Sequence, residues 1–257
     1  MSVAQASPVV SLSLESFRYA GSPEGTPPVI AGVELALSHG ERVFLLGPSG
    51  SGKSTLLRVL MGLERGARGL VSVRDRDPIP LAAWGPGQDV FGLVPQVPTL
   101  FPWKTLEGNL VVACPGPATR EEKRARAQTL LEAVGLAESS SKYPWQVSQG
   151  MASRVSFARA QLVRAPCLLL DEPFAALDAL TRASLQEWLR ARLGQSGDPC
   201  LFVTHDVREA LTLGTRILVL GYGPSAGERA TARVVADFTN FDASLEWERR
   251  VTDALGM

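Results

Sequence analysis

The first third of the chain alternates apolar and polar positions with a period of two. Val9–Phe17 reads VVSLSLESF, and Val33–Leu37 and Arg42–Leu46 (RVFLL) continue the strand signature. SPEGTPP, between the first two runs, is a turn-forming loop. After Leu46 a glycine-rich stretch leads into STLLRVLMGL, a helical pattern closed by Gly62, so this region predicts strand, loop and helix. Segments 70–74 and 90–94 predict short strands around a connector containing PIPLAAWGPG.

The period changes near residue 103. Thr119 and Glu122 form a capping box ahead of REEKRARAQTLLEAVGL, an amphipathic helix ending at Gly135. The stretch 97–165 therefore predicts helices. Strand and helix then alternate: CLLLD, a helix over 181–193, CLFVT, a helix over 207–213, and RILVL. The tail predicts a strand near 231–238 and a helix over 244–255. Such alternation implies a parallel sheet covered by helices, with the helical middle inserted as a lobe.

Composition narrows the class. With 257 residues, 45% of them apolar, the chain can bury one large core or a core with a lobe. Lys+Arg and Asp+Glu both total 26, so no net charge draws it to an anionic membrane, and no nucleic acid partner is expected. No run approaches the ~18 apolar residues of a membrane span, and MSVAQASPVV lacks the basic start of a secretory leader. The expectation is a protein inside the cell that meets a membrane only through a partner. Cys114, Cys167 and Cys200, odd in number and far apart, fit buried free thiols.

Candidate chemistry begins at residues 47–55. GPSGSGKST satisfies G-x4-G-K-S/T, with a predicted strand before it and a helix after it. Gly47, Pro48, Ser49, Gly50, Ser51, Gly52, Lys53, Ser54 and Thr55 are thus the expected phosphate cradle. Its N–H groups turn inward and the helix adds its positive end. Lys53 would reach the β- and γ-phosphates while the Ser54 hydroxyl meets Mg²⁺. Asp171 ends an apolar run, which places it at the carboxyl edge of a parallel sheet, where it is a candidate Mg²⁺ ligand. Glu172 beside it can orient and deprotonate a water. His205 ends the next strand, near enough to the loop to touch the γ-phosphate or that water. His39, in the turn SHGE, reads as structural. VSQGM at 147–151 stays open on its residues alone, as either a helix start that holds a phosphate or a turn before a core helix.

In order, GPSGSGKST, VPQ with Gln96, SQG before SRVSFARA, LLLDEP, AALD ending at Asp178, and VTHD resemble the ATP-binding cassette family, the nucleotide-binding subunits of ABC transporters. The resemblance runs from about residue 9 to 240. It implies a P-loop NTPase (RecA-like) α/β core with a parallel sheet, an antiparallel β part and an inserted α-helical lobe. One domain would span 1–257, with 1–96 and 166–238 as the catalytic core, 97–165 as the lobe and 239–257 as a C-terminal helix. Implied cofactors are ATP and Mg²⁺. Gln96 would join Mg²⁺ and the attacking water, Tyr19 (or Phe17) would stack on adenine, and Asp178 would lie at a subunit interface. Ser148 and Gly150 would complete the ATP site of a second subunit packed head to tail, while Val155, Ala158 and Leu162 anchor their helix in the lobe.

Where the family most often has LSGGQ, this chain has VSQGM. Met151 and the stretch VPTLFPWKTLEGNL resemble importers for nitrate, sulfonates and taurine, with Phe101 and Trp103 either anchoring a permease helix or filling the lobe. If Gln149 takes positive φ, strain of about 1–2 kcal/mol is expected; because Ser148 and Gly150 remain, function is expected to survive with slower hydrolysis. The resemblance implies an ATP-hydrolysing subunit on the inner face of the cell membrane, held there by permease subunits and serving a solute-binding protein indirectly. A P-loop kinase or GTPase, or a non-transport ABC ATPase, is the alternative. The guanine-reading Asn-Lys-x-Asp pattern is absent, because none of the four lysines follows an asparagine.

Overall fold

The computed structural model describes residues 7–86, 91–163, 165–175, 177–222 and 231–256. In β1 (Val10–Phe17), Val10, Leu12, Leu14 and Phe17 are buried while the residues between them are not, so the period-two pattern is a one-sided strand. The buried face shifts from even positions to Phe17 beside a bulge, between Leu14 and Ser16, in the pairing with β4. β1 pairs antiparallel with β2 (Ile30–Leu37), and β4 (Ala67–Val73) joins it to the two-residue β5 (Ile79–Pro80).

The other half of the sheet is parallel. β3 (Arg42–Leu46) lies between β8 (Cys200–Val203) and β9 (Arg216–Tyr222), followed outward by β7 (Leu168–Asp171) and β6 (Gly92–Val94). β10 (Ala232–Thr239) is antiparallel to β9 and touches β2 through Ala232 and Ile30, joining ten strands in the order β5-β4-β1-β2-β10-β9-β3-β8-β7-β6. Seven α-helices occur among the described residues: α1 (Lys53–Leu60), α2 (Leu106–Ala113), α3 (Arg120–Ala133), α4 (Gln149–Leu162), α5 (Ala179–Ser196), α6 (Val207–Leu213) and α7 (Leu245–Ala254).

Two apolar clusters back the sheet. A third is built within the helical middle from Leu106 and Leu110 of α2, Ala127 and Leu131 of α3, and Val155, Ala158 and Leu162 of α4. Beside it, buried Asn109 accepts a bond from Phe101 N–H at 2.7 Å and donates to the carbonyls of Phe101, Lys104 and Thr105, tying the segment before α2 into one turn.

Several boundaries differ from the sequence expectation. α5 extends beyond 181–193 at both ends because Asp178 caps its start and Gly197, at φ 65°, closes it. The strand expected over 90–94 spans Gly92–Val94, and residue 90 and Gly87 of the connector lie outside the described residues. Trp84 sits in that connector yet is buried, its indole N–H donating to Leu60 O at 2.7 Å. All three cysteines are buried free thiols.

Candidate functional site

β3 is apolar on both faces, and its carboxyl end delivers Gly47 into the loop. A Cβ on Gly47 would lie 2.3 Å from the Leu220 carbonyl oxygen, which only glycine avoids. Gly52 ends the loop at φ 90°, against the Ile30 side chain, and α1 starts at the next residue. Lys53 is therefore the first residue of α1. It is buried, and its Nζ folds back to donate to Gly47 O at 2.8 Å and Pro48 O at 2.9 Å. Burial lowers its pKa, while the charges of Glu172 and Asp171 oppose that shift.

The parallel strands β7 and β8 end on the same edge as β3, and β7 brings Asp171 and Glu172 to it while β8 brings His205. Asp171, the last residue of β7, accepts a hydrogen bond from the Ser54 hydroxyl at 3.0 Å. Burial pushes its carboxyl pKa up, and the Ser54 bond opposes this. Glu172 follows at φ 44°, a left-handed conformation that costs a non-glycine residue about 1–2 kcal/mol. Its N–H is fixed on Val203 O at 2.8 Å, and its Oε2 meets Gln96 Nε2 at 3.1 Å and His205 Nδ1 at 3.5 Å. Two side chains, from the ends of β6 and β8, thus converge on one carboxylate oxygen of a third, at the end of β7. His39 lies elsewhere, with Nδ1 3.4 Å from Gly197 O.

The cleft at this edge has a volume of about 610 Å³ and is lined by Leu46, Gly47, Pro48, Ser49, Lys53, Gln96, Glu172, His205 and Leu255. Leu255, just beyond α7, had no local sequence signal because only the packing of α7 carries it there. The donor set fits a hard divalent cation: a hydroxyl and a half-buried carboxylate stand 3.0 Å apart beside a loop built for phosphate oxygens. At the other end of the loop, Tyr19 is 44% exposed and its hydroxyl is 2.8 Å from Thr55 Oγ1. Phe17 is fully buried and packs T-shaped against the Tyr19 ring, so of this pair only Tyr19 is exposed to meet a base.

Ser148, Gly150 and Asp178 do not line this cleft; they form a second cluster. Ser148 caps α4, its hydroxyl accepting from Met151 N–H at 3.3 Å, and Asp178 caps α5, accepting from Thr181 N–H at 3.0 Å. The two helix starts are neighbours: a Cβ on Gly150 would lie 3.4 Å from Leu177 and 3.5 Å from Thr181, both ordinary contacts. Nothing inside the chain demands glycine at that position. Leu180, next to this pair, is 84% exposed and carried no signal in the sequence reading. Gln149 does not meet the condition for strain. Gln149 is the first residue of α4 and is not among the positive-φ residues, because a serine cap lets the helix begin without a left-handed turn. The strained residue is Glu172.

A family model described as ABC transporter matches residues 30–175, more than half of the chain. The chain belongs to the ABC transporter family. It is 48% identical over 200 residues to an aliphatic sulfonates import ATP-binding protein of Pseudomonas fluorescens, a match covering 77% of this chain and 70% of that one. A nitrate import ATP-binding protein of Synechococcus elongatus is 40% identical over 197 residues, covering 76% of this chain but only 29% of the relative's length. Among solved structures, a dimeric post-hydrolysis state of the ATP-binding cassette MJ0796 bound to ADP and Pi superposes with a TM-score of 0.75 at 28% identity, covering 90% of this chain and 98% of that one. The mixed sheet described above is the cassette fold.

Proposed function

We propose that this chain is the ATP-hydrolysing subunit of an importer for a small solute such as nitrate, a sulfonate, taurine or a similar small molecule. The observation that carries the reading is the convergence of Gln96 and His205 on Glu172 Oε2 beside Lys53 and the Ser54–Asp171 pair. Residues 47–55 cradle the phosphates, Lys53 offsets their charge, and Tyr19 supports the base. Mg²⁺, held by Ser54 and Asp171 with Gln96 close by, would supply electrostatic stabilisation of the phosphates. Glu172 takes the proton from the attacking water, Gln96 and His205 orient the two, and the left-handed backbone aims the carboxylate into the cleft.

Ser148 and Gly150 of a second copy close the site from outside, with Asp178 at the contact. Support comes from the exposed helix start, the absence of any internal need for glycine at 150, and the similarity to a dimeric cassette. In this reading residues 1–96 and 166–238 act as the catalytic core, 97–165 as the lobe and 239–257 as the C-terminal helix. Phe101 and Trp103, 37% and 69% exposed with ring centroids 5.4 Å apart, offer apolar anchors to permease subunits, through which a solute-binding protein is served. No described helix is long and apolar enough to cross a membrane, so attachment to the inner face runs through that contact.

The test is Mg²⁺-dependent ATP hydrolysis with no phosphoryl acceptor present, followed by capture of the permease and its solute. Turnover without acceptor, together with an ATP-dependent dimer, is expected. Turnover that requires an acceptor, with no dimer at saturating Mg-ATP, would place the chain among kinases instead.

A further inference from the structure

His205 poses a positioning problem. Its side chain is 68% exposed, and its approach to Glu172 is a 3.5 Å contact. A side chain so open to solvent keeps a fixed place only if its backbone is fixed on both sides.

The chain meets that requirement with one hydroxyl. Thr204, the residue before His205, is buried, and its Oγ1 accepts a hydrogen bond from the N–H of Asp206, the residue after it, at 3.1 Å. The same hydroxyl donates at 2.8 Å to Oε2 of Glu209, a carboxyl that is only 8% exposed. The Asp206 carboxylate in turn accepts from the N–H groups of Arg208 and Glu209 at 2.9 and 3.2 Å, capping α6. A carboxyl buried this deeply needs a structural reason, since an exposed position would cost less.

We infer that Glu209 is a positioning residue for hydrolysis: by orienting the Thr204 hydroxyl it locks the turn that holds His205 against Glu172. This rests on the role of His205 given under Proposed function and extends it to a buried acid outside the nucleotide motifs. The lock also reaches α5, because Gln186 Nε2 lies 3.5 Å from Glu209 Oε1 and Arg182 pairs with Asp206 at 3.9 Å. α5 is capped by Asp178, in the exposed cluster, so one helix links that cluster to the His205 turn.

The test is a mutant cycle on the full chain, reading kcat, KM for Mg-ATP and equilibrium ATP binding. Glu209→Ala and Thr204→Val are each expected to lower kcat about 10- to 100-fold, the scale of a misplaced catalytic group, with ATP binding unchanged. Glu209→Gln, which still accepts from the Thr204 hydroxyl, should restore most of kcat. His205→Ala combined with Glu209→Ala should lose no more than His205→Ala alone, since residues acting as a unit are non-additive. If the two losses multiply, or if Thr204→Val and Glu209→Ala both keep full kcat, Glu209 does not act through His205. Should Glu209→Ala fail to fold, Thr204→Val carries the same cycle. If His205→Ala itself keeps full turnover, the hydrolytic role of His205 falls, and this inference falls with it.

Discussion

The cleft around Lys53 and the exposed edge around Ser148 both carry short motifs but are finished to different degrees. In the cleft nearly every polar group already has a partner in the same chain: Lys53 on two loop carbonyls, Ser54 on Asp171, and Gln96 and His205 on Glu172. At the edge, Ser148 and Asp178 do no more than cap their own helices, Gly150 has room for a side chain, and Leu180 faces solvent. The first is a preorganised site. The second satisfies its local backbone and leaves a surface whose composition makes sense only against something approaching it. On the function proposed above, internal satisfaction separates residues that act in their own subunit from residues that act in another.

Variants in the two regions should fail in different ways. Glu172→Gln should cost about 10²- to 10⁴-fold in turnover, the range for a lost general base, yet leave ATP binding intact and trap an ATP-bound dimer visible by light scattering. A monomer at saturating Mg-ATP would break the contrast. Gly150→Leu should cost about 10²- to 10³-fold, like removing donors from a developing charge, while its melting temperature stays near wild type because the position tolerates a Cβ. If stability collapses as well, the edge has an internal role after all.

A smaller effect concerns pH. Burial holds the Asp171 carboxyl above the ordinary carboxylate range. An acid that binds its proton more tightly in the folded than in the unfolded chain favours folding at low pH, and that contribution is lost as pH rises through the raised value. Relative to Asp171→Asn, nucleotide-free protein in chelator should lose melting temperature across that window, and Mg-ATP should shrink the difference. The mildest expected change is Leu255→Ala. It removes one apolar wall of the cleft and should alter KM for Mg-ATP by less than any substitution above alters kcat.

The loop at 47–55 was legible from its own spacing, whereas the carboxylates at 171 and 172 and the histidine at 205 gained meaning from their place after apolar, strand-like runs, and each does follow a strand. Whether Gln149 takes a positive φ could not be read from its departure from the common pattern, because the Ser148 cap, which removes the need for it, is a matter of backbone geometry. Glu172 gave no warning of its φ of 44°, because backbone strain is imposed by what the neighbouring strand fixes, here Val203 O. Tyr19 and Phe17 could not be separated by pattern, because burial depends on which face a bulged strand turns inward.

By itself, then, the sequence determined the elements and the chemistry available at their ends, because apolar period, turn residues and phosphate-loop spacing act over a few residues. Only the tertiary structure decided which ends meet. Gln96, Glu172 and His205 converge because β6, β7 and β8 are adjacent and parallel, and Leu255 reaches the same cleft because α7 packs alongside α6. Such contacts join residues far apart in the chain, and their geometry is set by packing that no local pattern encodes.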